Sequence, residues 1–150
     1  MKHLSLLLLS FLSLAAWSQD NPKFDGALAK KLGADEYGMK KYIFVLLKTG
    51  SKTTEDQKFV SACFEGHMKN IQKLVDEGKL YVAGPFFRNE SGFRGIFILN
   101  VETVTEAKQL LESDAAIKEG LLSAEFFEWY GSAALPEYLE ASDKVWQKRH

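Results

Sequence analysis

The apolar residues of this chain alternate between short unbroken runs and a spacing of three and four, the pattern of strands interleaved with amphipathic helices. Tyr42 to Leu47 is an unbroken run ending at Thr49-Gly50, and it reads as a strand with both faces buried. From Thr54 to Gly78 the period becomes helical. At about 100° per residue, Val60, Cys63, Phe64, Ile71 and Leu74 fall within about 60° of His67, while Lys58, Glu65, Lys69 and Asp76 lie opposite. Ser51 to Thr54 offer N-cap residues for this helix, and Gly78 offers its stop. Lys79 to Ala83 reads as a short strand closed by Gly84-Pro85, and Phe93 to Val101 as a third, beyond the polar loop Arg88 to Gly92. Val104, Ala107, Leu110 and Leu111 mark a second helix over Thr103 to Ser113, and Ala115 to Glu119 adds a turn before Gly120. Leu121 to Tyr130 is a fourth strand, rich in aromatic residues at its end.

The order β-α-β-β-α-β predicts an α+β, ferredoxin-like subunit in which two helices cover one face of a four-stranded antiparallel sheet. The other face is then left over. Tyr42, Phe44 and Leu46 point away from Ile43, Val45 and Leu47, and Phe93, Phe97 and Leu99 oppose Ile96 and Ile98, so both faces are apolar. An exposed apolar face of that size predicts a homodimer with sheets packed together, burying on the order of 1,600 Å² or more.

The flanks differ from this domain. Residues 1–18 have a short polar start, a leucine-rich run from Leu4 to Ala16, and small residues around Ala16-Trp17-Ser18, which is the form of a signal peptide cleaved before Gln19. The run is too short to span a bilayer, so the mature protein is expected to be exported, to the periplasm or beyond, without stable membrane insertion. Residues 19–39 read as an arm with a helical turn near Ala27 to Leu32, residues 40–131 as the compact domain, and residues 132–150 as a tail with a helix from Pro136 to Lys148. Without Lys2 the mature stretch carries 18 basic and 20 acidic residues, a net charge of −2, and no basic cluster suited to nucleic acid. Cys63 is the sole cysteine, which excludes an intramolecular disulfide. No metal-ligand spacing and no phosphate-cradling glycine loop is present, so no metal and no cofactor is expected.

His67 is the residue with two readings. A histidine on the inward face of a helix is either a core ring donating to a backbone carbonyl or a general acid or base in a cleft. Cys63, one turn earlier, makes a cysteine-histidine pair conceivable, although lone cysteines on apolar helix faces are usually inert.

Taken in order, the segments KKYIFVLLKTG, FEGHMKNIQKL, KLYVAGPF, GFRGIFILNV and LLESDAAIKEGLL resemble the YciI-like (YCII-related) family over about residues 40–130. The resemblance implies a dimeric α+β barrel of ferredoxin-like subunits with a His-Asp pair in a cleft, positions that fall on His67 and Asp114. The family often has proline after the aspartate, where this chain has Ala115. Asp114 also has a structural reading as the N-cap of the turn that follows it. Gly84 and Pro85 would let backbone approach a ligand or would merely stop a strand; Phe86 and Phe87 would line a pocket or fill the core; Arg88 and Arg94 are the nearest cations that could hold a carboxylate. Three functions follow: a proton-transfer enzyme (isomerase, lyase or hydrolase) on a small organic ligand, a non-catalytic dimeric ligand-binding protein, or an oligomerisation platform whose arm and tail recruit a partner.

Overall fold

The computed structural model describes residues 21–147; the leader and cleavage point assigned above lie outside the described residues. Its elements are α1 (Gly26–Leu32), β1 (Met39–Thr49), α2 (Gln57–Asp76), β2 (Leu80–Pro85), β3 (Phe93–Leu99), α3 (Val104–Leu111), α4 (Ala115–Lys118), β4 (Leu122–Ser132), a 3₁₀ turn (Leu135–Glu137) and α5 (Tyr138–Val145). The strands form one antiparallel sheet in the order β2-β3-β1-β4, the ferredoxin-like arrangement. The fold is α+β.

β1 is the axis of the sheet because it pairs along its length with β4 and, on its other side, with β3. Val45 sits opposite both Phe97 and Phe126, and Ile43 opposite Leu99, so these side chains share the face covered by the helices. Leu74 of α2, Ala107 and Leu111 of α3 and Ala116 of α4 close over them in one cluster. Several boundaries differ from the sequence reading: β1 begins at Met39 and β4 runs on to Ser132. α2 is capped by Asp56, whose carboxylate accepts from Phe59 N, while Thr54 Oγ1 accepts from Asp56 N in the turn before it. Gly84-Pro85 closes β2 from within, as its last two residues rather than the residues beyond it: β2 is an edge strand, where a missing N–H is tolerated, and it ends with Pro85 paired to Gly95. A Cβ on Gly95 would lie 2.8 Å from the Gly84 carbonyl oxygen, so the close approach of these strands requires glycine there. The tail also differs, since Pro136 lies in the 3₁₀ turn and the helix runs only from Tyr138 to Val145.

The second face of the sheet is not uniformly bare. Tyr42 is fully buried, its ring between Tyr81 and Trp129 at centroid distances of 6.1 and 5.8 Å, with the Lys40 ammonium 5.2 Å from its centroid. Its hydroxyl donates to the Ser132 carbonyl at 2.9 Å, and Tyr138 of α5 donates to the Tyr81 carbonyl at 2.5 Å. At the β4 edge, by contrast, Phe127 and Trp129 remain 49% and 37% exposed.

Burial, and secondarily the neighbouring Tyr81, pushes the Tyr42 hydroxyl from its ordinary 10.0 up to about 12. The fold thus favours the neutral phenol. The unfolded chain releases this proton first, so the stability Tyr42 contributes is complete below pH 10 and is lost as pH rises towards about 12. Tyr42→Phe is expected to cost about 1 kcal/mol at neutral pH through the lost hydrogen bond. It should also flatten the alkaline fall, as read from urea midpoints across that window; an unchanged alkaline slope contradicts this account.

Candidate functional site

The site is assembled at the contact of α2 with the four-residue helix α4. Asp114, with no exposed surface, is the N-cap of α4: its Oδ1 accepts from Ala116 N at 3.1 Å and Ile117 N at 3.2 Å. Its Oδ2 faces α2, 2.7 Å from His67 Nδ1 and 3.4 Å from Asn70 Nδ2. One carboxylate therefore does both things weighed for it, with one oxygen for the cap and the other for the histidine. Ser113 Oγ donates to Asn70 Oδ1 at 3.3 Å, which fixes the amide with its nitrogen towards Asp114.

A carboxylate can only accept, so His67 Nδ1 carries the hydrogen and, in the neutral ring, Nε2 carries the lone pair. The imidazole stacks on Phe97 of β3 at 5.8 Å and 26°, with Phe64 edge-on at 6.1 Å. The side chain keeps 9% of its surface exposed. Nε2 takes no partner from the described residues, where no enclosed side-chain nitrogen or oxygen is left unpaired, so this nitrogen has access to solvent. Cys63 is buried one turn away and makes no hydrogen bond to the ring among the described residues.

Two residues of this site went unnoticed in the sequence. Asn70 lies on the same stripe as His67 but is polar, so the apolar periodicity that marks the stripe does not mark it. Gly66 sits where a Cβ would come within 2.7 Å of the Ala115 Cβ, so its bare backbone lets the start of α4 approach α2. A mid-helix glycine beside a histidine is the available signal, because glycine costs a helix about 1 kcal/mol relative to alanine unless something else requires it.

The remaining candidates lie elsewhere. Pro85, Phe86, Arg88 and Arg94 line a cavity of about 450 Å³ at the β2–β3 hairpin, together with Thr49, Asn89, Gly92 and Phe93. A larger cavity, about 650 Å³, is lined by Lys40, Lys79, Asn100, Thr103 and Glu106 among others. Neither is lined by His67, Asp114 or Gly84. Phe87 is 97% exposed and belongs to no core. Among the described residues no group of three or more His, Cys, Asp or Glu side chains is placed to hold a metal ion, and no helix is long and apolar enough to cross a membrane.

No protein family and no curated protein matches the chain. Among solved structures it is similar to 5-chloro-2-hydroxyhydroquinone dehydrochlorinase (TftG) from Burkholderia phenoliruptrix AC1100 in complex with 2,5-dihydroxybenzoquinone. The identity is 17% and the TM-score 0.44, over 58% of this chain and 92% of that one.

Gly66→Ala tests the close contact. The helix gains about 1 kcal/mol of propensity, but forcing a methyl group against Ala115 costs about 1–3 kcal/mol. A net loss is expected in urea denaturation, recovered in large part when Ala115→Gly is added. A single variant more stable than the parent would contradict the packing of α4 on α2.

Proposed function

We propose that this protein is a small-molecule enzyme of the proton-transfer type, an isomerase, lyase or hydrolase, and a divergent member of the YciI-like family exported by means of residues 1–18. His67 acts as general acid or base through Nε2, and Asp114 is its positioning residue. The observation that carries the reading is the division of the ring: Nδ1 is bonded to a buried carboxylate, while Nε2 has no partner among the described residues and is not sealed from solvent, in a side chain 9% exposed. The carboxylate holds the tautomer that leaves Nε2 able to accept a proton, and it stabilises the imidazolium that results. Asn70 and the α4 amides hold Asp114 in place, so little reorganisation accompanies the transfer.

A second reading, a non-catalytic ligand-binding protein, is favoured by one observation: the two cavities described above are not lined by His67. The two readings separate on His67 itself. Nitrogen-15 spectra of the imidazole should show Nδ1 protonated in the parent. In Asp114→Asn the amide keeps an oxygen for the α4 cap and turns a donor towards the ring, which shifts the proton to Nε2. Deuterium uptake from solvent into small enolisable carbonyl acids should fall about 10²-fold or more in both Asp114→Asn and His67→Ala. Uptake that is equal in all three proteins removes the enzyme reading.

We also propose that the active form is a homodimer joined through the second sheet face. Phe44, Leu46 and Ile96 are half-buried there, and Phe127 packs 6.3 Å from Phe44 while staying half exposed. Light scattering should give twice the chain mass, reduced to that of a single chain by Phe127→Glu; a parent protein that is monomeric at micromolar concentration would refute the arrangement.

A further inference from the structure

Of the three arginines in the sequence, Arg88 and Arg94 line one and the same cavity, the one of about 450 Å³ at the β2–β3 hairpin. We infer that this cavity binds a small aromatic carboxylate, its anionic group held by Arg88 and Arg94 and its ring laid against Phe86 and Phe93. The inference does not rest on His67 acting as a base.

The charges point to an anion. Ion pairs between lysine and glutamate run across the surface, as with Lys41–Glu128, Lys48–Glu125 and Lys79–Glu106, yet neither Arg88 nor Arg94 has an ion pair or a side-chain hydrogen bond among the described residues. Glu90, in the same loop, is paired with neither. Guanidinium groups present parallel N–H donors that match a carboxylate, a geometry lysine cannot offer. The walls point to a ring. Phe86 and Phe93 are 46% and 36% exposed with centroids 6.0 Å apart, an apolar surface turned to water beside two cations. The volume lies within the roughly 300–1,000 Å³ of small-ligand sites and suits a single ring with one anionic substituent.

The loop is held in shape before any ligand arrives. Asn89 Nδ2 donates to the carbonyls of Phe87 and Phe93, both at 2.9 Å, and Phe93 N donates to Asn89 Oδ1 at 3.0 Å. Thr49 N of β1 donates to the Gly92 carbonyl at 2.9 Å, where Gly92 turns the chain at φ 70°. Phe86 N donates to the Arg94 carbonyl at 2.9 Å, which fastens the backbone of Arg94 to the strand end two residues before Arg88. Such pre-organisation lowers the ordering entropy that binding must offset.

Titration of the full-length mature protein with benzoate, benzamide and inorganic phosphate, followed by calorimetry and by amide shifts in NMR, tests the assignment. Benzoate should bind at least tenfold more tightly than either benzamide or phosphate, with shifts concentrated at Phe86 to Arg94. Arg88→Gln and Arg94→Gln should each weaken benzoate tenfold or more, and Arg88→Lys should recover only part of the loss. Neither substitution removes a contact of the fold, so unaltered thermal melting accompanies these losses. Binding should be unchanged in His67→Ala. Equal affinity for benzoate and benzamide, phosphate binding as tight as benzoate, indifference to both glutamine variants, or loss of binding in His67→Ala would each overturn it.

Discussion

A carboxylate with no contact with water needs its lone pairs filled, and Asp114 fills them from two segments of chain 47 residues apart. This satisfaction is what holds α4 in existence. A helix of four residues is far too short to persist alone, and α4 stands only because Asp114 supplies its first acceptor and Gly120, at φ 75°, closes its far end. The dependence runs in both directions, since α4 contributes the two amides that fix Oδ1 and so aim Oδ2 at His67. Removing the carboxylate would cost a cap, about 1 kcal/mol, and would leave a nearly buried ring N–H without its acceptor, about 1–3 kcal/mol more.

The sheet contributes the floor on which this contact rests. Phe97 lies between its β1 neighbour Val45 and its β2 neighbour Ala83, and it carries the imidazole ring on the helix side. With Phe97 beneath, Phe64 at the edge and Asp114 behind Nδ1, the ring has one orientation, and Nε2 is the atom left towards solvent. Gly66 is the small allowance that permits it all, because a methyl group at that point would hold α4 away from α2.

The order of elements was legible because period alone separates Tyr42 to Leu47 from the helical stripe around His67, and the inward direction of His67 follows from the same arithmetic. Ends were less legible. Thr54 and Asp56 both have capping chemistry, and only the geometry assigns Asp56 to the helix and Thr54 to the turn. Gly84-Pro85 carries the chemistry of a terminator, but on an edge strand an absent N–H removes nothing that a neighbouring strand requires, so the pairing takes in both residues before the strand ends at Pro85. The nearness of His67 to Asp114 had no signal in spacing, which describes one element at a time; it was expected through the family resemblance. Asn70 is hidden by its own polarity, because a buried face shows in a sequence through its apolar side chains, and a buried amide is visible only once its partners Asp114 and Ser113 are in place.

The alternation of β3 separates the proposed chemistry from the proposed assembly. Phe97 and Gly95 face the helices, so Ile96 and Ile98 face the other way; at the hairpin end the register shifts between Leu47 and Lys48, and Phe93, paired with Lys48, falls on the side of Ile96. A second copy laid on that face would cover Phe44, Leu46, Ile96 and Phe127 while leaving His67 on the far side of the sheet. The burial of Tyr42 limits where such a copy can sit, because Tyr81 and Trp129 already enclose its ring and Tyr138 ties the C-terminal helix to the same edge strand. Apolar area still in contact with water lies around Phe127, and its removal from water at about 25 cal/mol per Å² would supply the drive for the proposed association. A partner on that face would stand closer to Phe93, in the lining of the arginine cavity, than to His67, so the proposed dimer would bear on that cavity first and on the imidazole only through the sheet between them.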